Sequence, residues 1–354
     1  MKVSRTALAL MALVVVAMLS GCAGDPAFTS GKIYWELGEY DKAIAELKTA
    51  IKNSPEAYQP HMFLGRAYAD TDELEMGHDE FFKALELAEA TGNQKAIDEV
   101  DNVITAYWLD YDRKGESFIG AAKYEDAIAE FEKAILIDPR KADAYINLGY
   151  AYHMSMQTDK AVETFEMAME YAPDNEVLTE NLVSVYETKA GSLASLGDYE
   201  NALVYFAKIE RIASEYPDLY YNMGLMHYQL KDYREAVKYF DKHLATKPDD
   251  EEVLYRKFLA FWGLGTGLEG DDQGELAKDE FSRAIEPLQK LIDLNYEELT
   301  YHRGLARIYA KLGQDEDAML ELKVVDQLLR GDTEPEPAAE PEPATEPDTG
   351  AEGE

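Results

Sequence analysis

Few residues in this chain have types and spacings that could do chemistry. Cys22, within MLSGCAG at positions 18–24, is the single cysteine among 354 residues. Gly265-Thr266-Gly267-Leu268-Glu269-Gly270 spells a G-x-G-x-x-G, a spacing that lets backbone N–H groups approach a phosphate when a strand precedes it and a helix starts at it. The preceding EEVLYRKFLAFWGL has the pattern of a helix, and the repeat spacing set out below places the glycines in a loop between paired helices. Asp110, Asp112 and Gly115 loosely match a calcium loop, yet the twelfth position is Ala121, which offers no carboxylate. The acidic stretch Glu269, Asp271, Asp272 could attract cations weakly, although a solvated loop explains it as well. His61, His78, His153, His227, His243 and His302 contain no pair three or four apart that could chelate a metal from one helix. Nor is there a G-x-S-x-G elbow. These residues give no positive ground for an enzyme and imply no metal or cofactor; an enzyme or solute-binding protein using residues 263–274 is the alternative.

The residues before Cys22 narrow its role. Lys2 and Arg5 precede a run of 13 apolar residues at 7–19, and small Ser20 and Gly21 follow, the three-part layout of an export signal. A membrane span needs roughly 20 such residues, so this run is too short to be one. Leu19-Ser20-Gly21-Cys22 resembles the lipobox of bacterial lipoproteins. That resemblance implies cleavage of residues 1–21, acylation of Cys22 with palmitate-type chains and a tether at 22–26. Several acyl chains hold a protein to a bilayer stably, where one does so marginally. An ordinary signal peptide with a chance cysteine is the plainer alternative. Ala23 rather than aspartate after the cysteine resembles outer-membrane sorting, which implies the periplasmic face of the outer membrane in a Gram-negative host.

The chain holds 34 basic and 70 acidic residues, a net charge of −36. Such a balance argues against a nucleic-acid partner, which needs a basic face. Residues 331–354 contain nine acidic residues, five prolines and no basic one, a composition expected to be an extended, disordered tail. With Cys22 acylated the mature chain has no disulfide available, and its stability must come from packing.

What positions any site is a repeat. In YDKAIAELKTAIKNSP, Ala43, Ile44, Leu47, Ala50 and Ile51 fall on one helical face and Asp41, Lys42, Glu46 and Lys48 on the other. Small residues recur at Gly31, Gly65, Gly115, Gly149, Ala190, Gly224 and Ala306, alanines at Ala43, Ala127, Ala161, Ala202, Ala236, Ala277 and Ala318 with Gly77 as variant, and a leucine or aromatic four residues after each alanine. Pro55, Pro139, Pro173 and Pro248 should stop second helices, because proline cannot continue the hydrogen-bond ladder. The alanine column steps by 34 residues three times, by 41 three times and by 50 once. An excess of seven is about two helical turns, so the steps predict lengthened helices around 95–121 and 175–196 rather than long loops. In the seventh unit Phe258 stands where a small residue is expected.

Tyr145-x2-Leu148-Gly149-x2-Tyr152, with Ala161-x3-Phe165, Ala168 and Pro173, resembles the tetratricopeptide repeat (TPR) pattern. The resemblance implies an all-α fold, a TPR helix-turn-helix solenoid of about eight helix pairs over 27–330, elongated and curved, with each unit packed on its neighbours. It also implies a protein-binding groove lined by the first helix of each pair. Carried over by register, the groove takes Ile146, Asn147, Tyr150 and His153 in the fourth unit, Tyr221, Asn222, Leu225 and Tyr228 in the sixth, and Tyr255, Leu259 and Trp262 in the seventh. These could equally be packing between neighbouring units. The positions of the chaperone-binding carboxylate clamp carry Phe28, Lys32, Met62 and Arg66, which does not support recognition of an acidic C-terminal tail there. Arg303 and Arg307 form a separate basic spot. The expectation is a lipid-anchored scaffold or adaptor in the bacterial cell envelope, binding envelope proteins or peptides in outer-membrane, pilus or cell-wall assembly.

Overall fold

A computed structural model describes residues 24–269 and 273–331. Cys22, the export signal, Gly270, Asp271, Asp272 and the acidic tail after Gly331 lie outside the described residues. Every regular element in the described part is an α-helix. In chain order they are α1 (Pro26–Glu36), α2 (Tyr40–Asn53), α3 (Tyr58–Asp70), α4 (Leu74–Ala90), α5 (Gln94–Gly120), α6 (Tyr124–Ile137), α7 (Ala142–Met154), α8 (Thr158–Tyr171) and α9 (Glu176–Ser195). Then follow α10 (Tyr199–Ile212), α11 (Leu219–Gln229), α12 (Tyr233–Thr246), α13 (Glu251–Leu268), α14 (Gly274–Arg283), α15 (Ile285–Leu294), α16 (Leu299–Leu312) and α17 (Asp315–Arg330). The order reads as eight helix-turn-helix pairs, the seventh having its second helix in two pieces. Helix starts at Pro26, with the Asp25 side chain accepting from the Ala27 N–H at 2.8 Å.

In every pair but the seventh, whose turn falls partly outside the described residues, the turn has one construction. A single residue in the left-handed region separates the two helices: Gly38, Asp72, Ala122, Met156, Gly197, Lys231 and Gly313, with φ between 55° and 80°. Four of the turns between pairs contain the expected prolines. Helices α2, α6, α8 and α12 each end two residues before Pro55, Pro139, Pro173 and Pro248, as expected where the residue before a proline is pushed out of the helical region.

The chain forms two compact units, residues 1–189 and 190–354. In the first, α1 through α8 pack pair upon pair around Leu47, Leu64, Phe81 and Ile104, all at most 1% exposed. Helix-to-helix spacing is set by a glycine in the first helix facing a large side chain sixteen residues later. A Cβ on Gly65, Gly115 or Gly149 would stand within 2.4–2.7 Å of the ring of Phe81, Phe131 or Phe165, and one on Gly31 2.7 Å from Leu47. Each of these rings is almost wholly buried, which contributes roughly 2–3 kcal/mol apiece. Tyr152 and Tyr186 then donate to Glu132 and Glu166 at 2.7 and 2.8 Å, tying successive pairs together. In the second unit Gly224 faces Phe240 in the same way, and the core continues through Phe258, Phe261, Phe281, Leu288 and Leu291.

Helix α5 runs for 27 residues and α9 for 20, so the long steps of the alanine column are lengthened helices. The other two steps of 41 residues are also absorbed as helix. One lies in the first helix of the seventh pair, α13, of 18 residues. The other lies in the α14–α15 stretch, broken at Ala284 where Pro287 has no N–H to give the carbonyl of Arg283.

This overturns the expected loop for residues 263–268. Gly265 and Gly267 are inside α13, and a Cβ on Gly265 would meet Phe281 at 2.5 Å. Gly265 is therefore the small residue of the seventh pair, displaced by seven residues from Phe258, which is buried in the core. Among the described residues no strand precedes Gly265 and no helix begins at it, so Gly265 and Gly267 form no phosphate cradle.

Candidate protein-binding surface

The first helices of the pairs carry the candidate residues, and each unit presents its own set. In the first unit α7 supplies Ile146, Asn147, Tyr150 and His153. Ile146 is 7% exposed and belongs to the core. Asn147 donates its side-chain N–H to Asp112 on α5 at 3.1 Å, so its amide is committed within the chain rather than held out to a peptide backbone. Asp112 is nearly buried, and burial, helped by nearby Glu116 and Asp143, pushes its carboxyl above the usual carboxylate range. Tyr150 is 37% exposed, and the His153 Nε2 lies 3.5 Å from the Ser184 hydroxyl.

A second cluster in this unit was not legible from spacing. Asp70 of α3 accepts from the Trp35 indole N–H of α1 at 2.7 Å and from the Tyr107 hydroxyl of α5 at 2.8 Å. The Arg66 guanidinium stacks 3.9 Å from the Trp35 ring centre, an arrangement worth roughly 1 kcal/mol or more where water is partly excluded. Burial and the Asp70 carboxylate push the Tyr107 hydroxyl far above the usual tyrosine range. The other clamp positions are likewise filled from within: Phe28 meets the Phe63 ring edge-on at 5.7 Å, Lys32 lies 5.6 Å from that ring, and Met62 is buried.

In the second unit α11 and α13 place Tyr221, Asn222, Leu225, Tyr228, Tyr255, Leu259 and Trp262, all half-buried. Tyr228 meets Tyr233 at 5.4 Å, Tyr255 meets Tyr301 of α16 at 6.1 Å, and Trp262 leans on Phe281 at 5.3 Å. Burial is the main cause raising the hydroxyls of Tyr221 and Tyr228 above their ordinary value.

Between α13 and α16 this surface deepens into two adjoining hollows that share Tyr255 and Thr300. One, of about 480 Å³, has an acidic rim of Glu251, Glu252 and Glu298. The other, of about 260 Å³, has Tyr255, Leu259 and Trp262 on one side and Arg303 and Arg307 on the other. Gly304 lies between the two arginines, where a Cβ would approach Leu288 to 3.2 Å. The structure thus joins the basic spot to the aromatic groove of the seventh unit. Arg303 and Arg307 are exposed and form no ion pair among the described residues, whereas Lys311, one turn further on, pairs with Glu269 at 2.7 Å.

Comparison with known families agrees with this architecture. Profiles described as tetratricopeptide repeat match residues 28–93, 142–175, 217–250 and 273–331, and one described as TPR repeat matches 122–155. Together they span more than half of the chain. The chain belongs to the tetratricopeptide repeat family.

A curated relative of this TPR protein is the small glutamine-rich tetratricopeptide repeat-containing protein 2 of Mycosarcoma maydis, 31% identical over 85 residues. The matched stretch is 24% of each chain, so the TPR protein spans about a quarter of that relative's length. Among solved structures, MamA from Desulfovibrio magneticus RS-1 is 21% identical, with 55% of this chain and 97% of that one covered and a TM-score of 0.36. YrrB, described as a TPR protein with an unusual peptide-binding site, is 20% identical over 54% of this chain and 88% of its own, with a TM-score of 0.35. Pseudomonas aeruginosa PilF is 20% identical over 63% and 90%, with a TM-score of 0.32.

Proposed function

We propose that this TPR protein is a non-enzymatic scaffold that holds protein partners on the first-helix face of its second unit. The observation that carries the reading is the row of half-buried tyrosines and Trp262 along α11 and α13, ending at two arginines on α16 that form no ion pair among the described residues. Tyr228, Tyr255 and Trp262 pack against the core on one side and leave the rest of their surface open on the other. Tyr, Trp and Arg anchor interfaces well because they bury large surfaces at little entropic cost. An extended peptide or a partner helix fits a face of this kind.

The export-type leader and lipobox support a lipid-anchored scaffold at the bacterial cell envelope, at the outer membrane in a Gram-negative host. Outer-membrane, pilus or cell-wall machinery is the setting such an anchor suits. Mass spectrometry of the mature N-terminus tests the location: the reading requires acylated Cys22 as first residue, and an unmodified Cys22 or cleavage elsewhere sinks it. Capture from solubilised membranes tests the scaffold: stoichiometric partners should appear with the native chain and disappear when Tyr221, Tyr228 and Trp262 are alanine.

A further inference from the structure

We infer that the acidic segment following α17, residues 332–354, docks in cis on the hollow between α13 and α16 and thereby competes with partners for that part of the face. The inference rests on the reading of this face as a binding surface and names its resident occupant. Three observations carry it. The first is charge. Arg303 and Arg307 line the hollow with Tyr255 and Trp262 and form no ion pair among the described residues, in a chain with twice as many acids as bases. Glu298, just before α16, accepts from the Thr300 N–H at 2.9 Å. Hydrogen bonding to Thr300 is the main cause holding its carboxyl below the ordinary value, with a smaller contribution from the charge of Arg303.

The second is spacing. Glu334-Pro335-Glu336-Pro337 and Glu340-Pro341-Glu342-Pro343 set carboxylates two residues apart. Residues before proline favour the extended polyproline geometry, where two residues advance about 6 Å. Arg303 and Arg307, four residues apart on α16, are also about 6 Å apart along the helix. In a helix of three residues per turn the two glutamates of each Glu-Pro-Glu run leave the backbone about 120° apart with the proline between them on the far side. Each run can therefore give one carboxylate to each guanidinium while Pro335 or Pro341 lies against Tyr255 and Trp262, as proline-rich segments do in aromatic-lined grooves.

The third is reach. Helix α17 pairs with α16 through the short turn at Gly313 and ends at Arg330, so the tail leaves the pair at the end where α16 begins. Arg303 and Arg307 are one and two turns into α16. Residues 332–354 could span about 70 Å if extended, several times what is needed. Glu251, Glu252 and Glu298 line the adjoining hollow and oppose an acidic occupant there, which confines favourable contact to the side of the two arginines.

The test keeps the chain at full length. The probe is a fluorescent peptide of residues 332–348, offered at low salt to the native chain, to a chain with Glu334, Glu336, Glu340 and Glu342 changed to Gln, and to that variant carrying also Arg303→Glu and Arg307→Glu. A tethered tail acts at an effective concentration of order mM. The peptide should therefore bind the neutral-tail variant at least about tenfold more tightly than the native chain, and the two arginine changes should abolish binding with helix content unchanged. Equal binding to native and neutral-tail chains, no binding to either, or indifference to Arg303 and Arg307 each overturns the proposal. So does light scattering that shows the tail held by a second copy. If membrane capture through Tyr221, Tyr228 and Trp262 survives while the peptide fails, only this inference falls.

Discussion

Phe281 sits on Gly265: a Cβ on the glycine would stand 2.5 Å from the ring edge. This contact fixes the seventh pair in the same way that Gly149 and Phe165 fix the fourth. Gly265→Ala should therefore destabilise the chain by about 1–3 kcal/mol, the range for forcing a methyl into a packed core. A lower thermal midpoint with little change of far-ultraviolet signal is expected. An unchanged midpoint would mean that Gly265 is free, as a loop glycine would be.

The left-handed turn residues predict gains in stability. Ala122 and Lys231 hold φ near 55° and 61° with a Cβ present, a conformation costing roughly 1 kcal/mol or more. Ala122→Gly and Lys231→Gly should each stabilise by about 0.5–1 kcal/mol, after the greater freedom of glycine in the unfolded chain is subtracted. Urea midpoints check this.

Asp112 predicts a pH dependence. Its carboxyl is held above the ordinary value of 3.8, chiefly by burial. The folded chain thus binds this proton more tightly than the unfolded chain, so its contribution to stability falls as pH rises from about 4 through the raised value and is flat above it. Asp112→Asn keeps the acceptor for Asn147 and removes the buried charge. It should stabilise the chain at pH 7, with the difference vanishing below about pH 4. Denaturation at the two pH values distinguishes this from a pH-independent packing effect.

Asp138 is wholly buried at the end of α6, and Arg140 donates Nε and Nη2 to it at 2.7 and 2.9 Å while reaching Asp101 at 2.8 Å. Arg140→Ala would leave a buried carboxylate without its principal cation, which costs about 3 kcal/mol. Arg140→Lys should recover only part, since an ammonium cannot reproduce the forked contact. The order of the three thermal midpoints is the readout.

Much of the fold was legible because each pair repeats a mechanical need. A small residue must face a large one sixteen positions later, an alanine must accept a close helix, and a proline must end the second helix. Lengthened helices at 94–120 and 176–195 followed from excess residues that return the same face to the core. The seventh pair was misread because Phe258 breaks the small-residue column, and only the contact of Gly265 with Phe281 shows that the column had moved by two turns inside α13. The candidate surface was legible in part. Tyr150, Tyr221, Tyr228 and Trp262 are placed on first helices as register predicts, but Ile146 is buried and Asn147 is committed to Asp112, since register cannot say which neighbour reaches a given side chain. The Trp35, Asp70 and Tyr107 cluster escaped notice because the long α5 brings Tyr107 in from a turn that no standard repeat contains. The junction of Arg303 and Arg307 with Trp262 needed the packing of α16 on α13.

The central claim is that the aromatic face of α11 and α13 holds protein partners. It is tested most directly by solubilising membranes that contain the full-length chain and quantifying what co-purifies with the native protein and with the Tyr221→Ala, Tyr228→Ala, Trp262→Ala variant at equal abundance and equal helix content. The account predicts stoichiometric partners with the native chain and at least about a tenfold loss with the variant, as expected when central aromatic anchors are truncated. Partners retained undiminished by the variant would contradict it.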